Sequence, residues 1–384
     1  MLPITPLFFL IAFASVNALL FTPALPLMSV FFGVTEAVAE NFMTVFLIGY
    51  TLGQLVYGPF SNRYGRRRSL MIGTFMQIGS QLVCLAGVAT QQFWLLLLGR
   101  FFMAIGSGVG LKMTFTLVSE TLSPERASRV IALVSMAFAL SPALSVAAGA
   151  YLTVVFGWES IFYGATVYGL IILLFIKTLP ETCQHKDRDA LNPVKLLQNL
   201  RLQFADRQLV CWAMMMGSTT AIAYLFATLA PFIAISEAGL SEKAFGLYNL
   251  VPAIGLVSGG LIAAHLSARV SQRMALSAGL GITAVSVVLM GVATYLKMPV
   301  LWMLFVPMIT VNFGNALIYP NASVLALKKA TDKSNASAVM SFINMGFATV
   351  MVLAAGFTTP GQLVFMAALV LLTIFMALCL WGRR

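Results

Sequence analysis

The sequence predicts an all-α integral membrane protein with twelve transmembrane helices in two pseudo-symmetric six-helix bundles. Three observations carry this. Of 384 residues, 60% are hydrophobic and only 9% charged, with a mean hydropathy of +0.94, whereas an ordinary soluble domain is about a quarter charged. Apolar runs long enough to cross a ~30 Å hydrocarbon core recur twelve times; each must be a helix, because every backbone N–H and C=O has to be bonded within its own segment. The longest polar stretch, Leu179 to Arg207, leaves six runs on either side.

Span one covers about 5–30 and is too long and too rich in proline for a removable signal peptide, so it is read as part of the mature chain. The others lie at about 42–61, 69–90, 93–118, 129–153, 160–178, 208–234, 243–266, 274–296, 300–326, 336–357 and 362–381. Loop charges orient them. With the N-terminus inside, 19 of the 23 Lys and Arg are cytoplasmic: Arg63 and Arg66 to Arg68 after span two, Arg126 and Arg129 after span four, Lys177 at the end of span six and the linker cations, Arg269 and Arg273 after span eight, Lys328, Lys329 and Lys333 after span ten, and the C-terminal pair. Only Lys243 and Lys297 fall outside, which is a strong positive-inside bias and places both termini in the cytoplasm. The net charge of +11 is therefore topological and implies no nucleic-acid partner.

The division is residues 1–178 for the first bundle, 179–207 for a cytoplasmic linker and 208–384 for the second bundle. Within the linker, Val194, Leu197, Leu200 and Phe204 recur at helical spacing beside Lys195 and Arg201, which suits either a short interfacial helix or a solvated tether. Glu125 to Val130 after span four has a counterpart in Ser334 to Val339 after span ten, as an internal duplication leaves; two six-helix halves are a transporter signature. Cys84, Cys183, Cys211 and Cys379 have no metal or redox spacing, and no Gly-rich phosphate loop occurs. No metal, cofactor, ATP site or enzymatic centre is expected, so active transport would draw on an ion gradient.

The stretch Gly58-Pro59-Phe60-Ser61-Asn62-Arg63-Tyr64-Gly65-Arg66-Arg67-Arg68 resembles the loop motif of the major facilitator superfamily. Further likenesses are Thr22 to Pro26 in span one, Leu98 to Phe102 in span four, Gly157 to Phe162 after span five, Leu179 to Thr182 after span six and Phe313 to Ala322 in span ten. Together they resemble the bicyclomycin-resistance-like branch of the drug:proton antiporters. The resemblance implies the major facilitator fold, alternating access, and efflux of small organic compounds across a bacterial inner membrane in exchange for protons. It also implies gating by Gly58, Asn62, Arg63, Gly65, Arg66 and Arg67. Asn62 stands where the family has an acid, which is expected to weaken the cytoplasmic latch. Glu120 is the nearby carboxylate expected to pair with Arg66 or Arg67. The span-five antiporter pattern is partly kept in Ser141 to Gly149, with Pro142 and the final Gly, so close helix packing is expected to survive.

All twelve carboxylates lie in loops or at span ends: Glu36, Glu40, Glu159, Glu237 and Glu242 outside, and Glu120, Glu125, Glu181, Asp187, Asp189, Asp206 and Asp332 inside. The span-one position where related antiporters often carry an acid aligns with Leu19. A carboxylate relay and a cationic substrate are both disfavoured. Arg100 and Lys112 are the two cations within the membrane, where an ionised group costs at least ~2.5 kcal/mol and needs a partner or a cavity. Arg100 matches a family arginine linked to proton transfer or to holding span one; a plain hydrogen-bonding role to a neighbouring helix is the alternative. Lys112 could bind an anion when charged and release it when neutral, or snorkel to the cytoplasmic interface, or pair with Glu120.

The resemblance places spans one, four, seven and ten around a central cavity. Their candidate substrate residues are Asn17, Phe21, Lys112, Tyr224, Phe226, Asn312, Asn315 and Tyr319, the last three sharing one face of span ten. Tyr50, Gln54 and Asn344 are weaker candidates. The expected function is secondary transport of an anionic, zwitterionic or neutral polar molecule, drug-like or siderophore-like, by a monomer whose partners are substrate, protons and lipid. An importer of an organic anion, such as a carboxylate siderophore, and a transport-dead receptor or scaffold remain alternatives.

Overall fold

The computed structural model describes residues 3–183, 187, 190–192, 201–266, 269–328, 333–358 and 361–382. Twelve long helices run through them: α1 Thr5–Phe32, α2 Asn41–Tyr64, α3 Arg66–Ala89, α4 Phe93–Thr121, α5 Pro124–Phe156, α6 Ser160–Ile176, α7 Arg207–Glu237, α8 Glu242–Leu266, α9 Gln272–Tyr295, α10 Leu301–Leu327, α11 Lys333–Ala355 and α12 Gln362–Trp381. Eight of them are long and apolar enough by themselves to cross a bilayer. The stretches Leu140–Phe156 in α5, Ser160–Ile176 and Val339–Ala355 in α11 are shorter apolar helices, and α2 is diluted by Tyr50, Gln54, Tyr57 and Asn62. At ~1.5 Å per residue even the 17 residues of α6 reach about 25 Å.

Several helices are interrupted where the backbone runs out of donors. In α1 the α-helical segment stops at Leu19 and resumes at Leu25 after a 3₁₀ turn over Thr22–Ala24, because Pro23 has no N–H to return to the Leu19 carbonyl. In α7 a π turn over Phe232–Glu237 follows Pro231, and in α10 another over Leu301–Phe305 precedes Pro307. Pro23, Pro231 and Pro307 thus sit at changes of helical pitch, whereas Pro142 and Pro320 lie inside continuous stretches of α5 and α10. The joint in α4 is at Gly108, whose N–H is shared between Ala104 O and Ile105 O at 3.1 Å each.

The chain forms two compact units. The first comprises residues 1–33 and 41–200. Its core is a cluster from α1, α3, α4, α5 and α6 that includes Leu10, Phe13, Leu70, Met113, Leu117, Val134 and Ile172, all fully buried. The second comprises Arg201–Arg384 and also Val34–Glu40, the loop before α2. The sequence division at 178 and 208 did not foresee that this loop packs with the second unit. The linker helix expected around Val194 to Leu200 lies outside the described residues; residues 201–204 are helical, and Phe204 meets Phe342 edge-on with ring centroids 6.1 Å apart.

Candidate functional site

The first unit holds a sealed cationic node. Arg100, on α4, is fully buried. Its Nη2 donates to Ala18 O at 2.8 Å, its Nη1 to Asn17 O, and its Nε to Phe42 O at 3.3 Å. The rings of Phe21, Phe42 and Phe46 surround the guanidinium at 4.5, 4.3 and 4.4 Å. The local sequence explains the arrangement. The α1 break strands the last carbonyls of its first segment; Leu20 N–H takes Val16 O, Thr22 Oγ1 takes Leu19 O at 2.9 Å, and Arg100 takes the two between. A cation at a helix C-terminus also complements the dipole, and a planar fork of donors suits adjacent carbonyls better than an ammonium does. Arg100 therefore caps the carbonyls at the α1 break, the contacts that a role in holding span one requires.

Beside it, Asn17 is buried, donates to Phe13 O at 2.8 Å and accepts from Gln77 Nε2 at 2.8 Å; Gln77 also donates to Ala165 O at 3.1 Å. Phe21 packs on Phe42 and Phe162 at 5.4 and 5.0 Å. Both candidate substrate residues of span one are thus built into the packing of this unit.

The loop motif forms a second assembly. Gly65 has φ +98°, a conformation open to glycine, and it starts α3 without a capping side chain. Glu181 supplies the cap from after α6: Oε1 accepts from Arg66 N at 2.9 Å and Oε2 from Arg67 N at 3.1 Å. A side chain at position 65 would stand 2.6 Å from Glu181 Oε2. Glu120 grips Arg66 with both oxygens, at 2.7 Å from Nη2 and 3.3 Å from Nε, and accepts from Thr182 Oγ1. Arg66 Nη1 then donates to Ser61 O at 2.8 Å and to Asn62 Oδ1 at 2.9 Å. Asn62 is thus one of the acceptors that orient Arg66, a role that needs no charge, and the Glu120 partner is Arg66 and not Arg67. Arg63 lies over the Tyr64 ring at 5.5 Å. A double-mutant cycle of Arg66→Ala with Glu120→Gln should give a coupling of about 1–2 kcal/mol in thermal unfolding, since a bidentate pair that is 11% and 30% exposed escapes most solvent screening. Additive effects would remove the pair from the latch.

Lys112 is half-buried, and its Nζ lies against Gly58 of α2, where a β-carbon would collide with it. The glycine is what admits the amine. With Glu120 held by Arg66, Lys112 has no ion pair among the described residues. Pro142 lies inside α5, with Ser141 Oγ donating to Phe138 O at 2.9 Å.

In the second unit, Thr220 Oγ1 donates to Asn344 Oδ1 at 2.8 Å and Asn344 Nδ2 to Tyr319 Oη at 3.5 Å, joining α7, α11 and α10. Tyr319 keeps 41% of its surface exposed. Asn315, one turn away on α10, is buried, with Oδ1 given no hydrogen bond among the described residues. Asn312 Nδ2 instead bonds Pro252 O of α8 at 3.1 Å. Tyr224 is half-buried, and Phe226 is packed against Phe305 and Phe365 at 5.9 and 6.0 Å. Tyr50 is stacked on Phe46 and Gln54 is buried. Gln77, Thr220 and Glu181, which bond the candidate residues or the loop motif, were not among the candidates read from the sequence. A glutamine at mid-span and a carboxylate just after a short span end were the available signals.

Comparison with known proteins agrees with this architecture. The Major Facilitator Superfamily pattern matches residues 7–355. The multidrug transporter MdfA of Edwardsiella piscicida is 27% identical over 82% of this chain and 76% of its own. A bicyclomycin resistance protein homolog of Haemophilus influenzae is 22% identical over 63% of this chain and 61% of its own. Among solved structures, a D-xylose-proton symporter matches with a TM-score of 0.72 over 97% of this chain and 96% of its own; at 16% identity that likeness is one of fold. The loop motif, the twelve helices and the match across most of the chain place this protein in the Major Facilitator Superfamily, as a multi-pass membrane transporter akin to the drug:proton antiporters.

Proposed function

We propose that the protein exports a small organic molecule across the inner membrane in exchange for protons, with both termini in the cytoplasm, and that the molecule is anionic, zwitterionic or neutral and polar. The observation that carries the substrate class is the state of the two membrane cations. Arg100 is consumed by backbone carbonyls and aromatic faces, whereas Lys112 is half-buried and has no ion pair among the described residues. An ammonium in a poorly solvated place favours an anion or a dipole and repels a cation. The names of the multidrug relatives support efflux as the direction.

Proteoliposomes with an imposed pH gradient test the reading, using citrate, a neutral phenicol and ethidium as probes. Citrate or the phenicol should move against the proton gradient, and ethidium should not. Lys112→Ala should reduce citrate transport about tenfold or more, the loss of one charge-assisted contact of ~1.5–3 kcal/mol, and leave the neutral probe nearly unaffected. Uptake of citrate along the inward proton gradient would make the protein an importer, and transport of ethidium alone would overturn the substrate class.

A further inference from the structure

Glu40 stands one residue before α2, at the end opposite the basic motif, where the sequence suggests an ordinary loop acid. It is fully buried. A one-turn helix, Glu36–Ala39, sets it inward: Thr35 Oγ1 caps Val38 N at 3.3 Å, Glu40 N–H closes on Glu36 O at 3.0 Å, and Ala39 and Glu40 turn into the protein while Val38 stays 40% exposed. Its carboxyl faces the bare α-carbon of Gly356, just past α11; a β-carbon there would lie 3.7 Å from Oε2. The whole segment Val34–Glu40 belongs to the second unit. Among the described residues, the charged groups that act on this turn are acids. Glu36 acts on Glu40 from its own turn, and Glu237, at the end of α7, lies within electrostatic reach of Glu36.

We propose that Glu40 is a proton-binding site at the outer end of the protein: as a carboxylic acid it holds Val34–Glu40 docked on the second unit, and as a carboxylate it releases the segment. The proton comes from and returns to water on that side. The docking switch stands on the fold alone, and its use in proton-driven export rests on the function proposed above. Full burial is expensive for a carboxylate, and a group held neutral by its site is a candidate for function. Burial first, and the Glu36 charge second, push the Glu40 carboxyl up from 4.5 to about 8. The sign follows. Between about pH 4.5 and 8 the docked form holds a proton that the undocked form does not, so docking is strongest in acid, weakens as pH rises and levels off above about 8.

The test uses the full chain with its four cysteines replaced by serine and one reporter cysteine, either Ala39→Cys, buried when docked, or Val38→Cys, exposed in both states. The rate of labelling by a membrane-impermeant maleimide, taken as the ratio of the two reporters, should rise about tenfold or more between about pH 6 and pH 8. Glu40→Gln should hold the ratio low throughout. An equal rise in Glu40→Gln, or a flat ratio with Glu40 in place, overturns the proposal. Infrared difference spectra of the chain with native cysteines provide a check without reporters: a protonated-carboxyl C=O band lost between about pH 6 and pH 9 should be missing in Glu40→Gln, and its persistence there overturns the assignment. Proteoliposome transport separates the two readings. If citrate and phenicol ignore the pH gradient while the labelling behaves as expected, proton-linked export fails and the Glu40 switch stands; gradient-driven transport with a pH-independent ratio gives the reverse.

Discussion

Replacing Arg100 with alanine should lower the stability of the protein by about 3–5 kcal/mol. The side chain satisfies carbonyls of Asn17, Ala18 and Phe42 in a fully buried site, each charge-assisted bond is worth ~1.5–3 kcal/mol, and an abandoned buried acceptor costs ~1–3 kcal/mol. Three aromatic rings would also lose the cation they enclose. Arg100→Lys should recover less than half of the loss, because one ammonium cannot span the adjacent carbonyls with the geometry of a fork. Thermal unfolding in detergent, followed by monodispersity or tryptophan fluorescence, reads both variants. A melting curve for Arg100→Ala within about 1 kcal/mol of the parent would show that the α1 break holds itself without its cap.

Gly149→Val should be at least as damaging. Gly149 closes the span-five pattern, and α5 meets α1 there so closely that an added β-carbon would overlap the Leu20 carbonyl oxygen. Leu20 lies in the α1 break, so the obstacle is backbone and not a side chain that can turn aside. Overpacking of this kind usually costs ~1–3 kcal/mol where side chains can adjust; here a whole helix has to move, and a loss of more than about 3 kcal/mol is expected, with a sharp fall in folded yield. Gly79→Val is the comparison, since nothing lies within 4 Å of a β-carbon at that helical position. It should change the melting temperature little, and equal damage from both would show that helix propensity, not contact, decides the effect at Gly149.

The two variants meet at one place, the α1 break, and that place shows what each level of description contributes. Pro23, Pro26, Arg100 and the small residues up to Gly149 are all visible in the sequence, and the prolines alone forecast a bend. What joins them is invisible there. That Arg100 should take the carbonyls of Asn17 and Ala18, 83 and 82 positions away, depends on how α4 lies against α1. Asn62 shows the same limit: as a neutral replacement for an acid it reads as a weakened latch, and only the fold shows that its amide oxygen accepts a hydrogen bond from Arg66. Glu181 looked like a fragment of a family signature, and the fold makes it the cap of α3.

By itself the sequence determined the membrane as solvent, the twelve spans and the superfamily. Each follows from local properties, namely run length, charge sorting and the spacing of glycines and arginines within a single loop. Tertiary structure alone decided how each charge is surrounded. Arg100 and Lys112 look alike as membrane cations, but Arg100 is held by backbone acceptors, whereas Lys112 has no ion pair among the described residues. Glu40 looks like a solvated loop acid, but the segment carrying it packs with distant residues that strip its water away. Solvation of a charge depends on everything within a few ångströms of it in space, and the order of residues along the chain does not specify those neighbours.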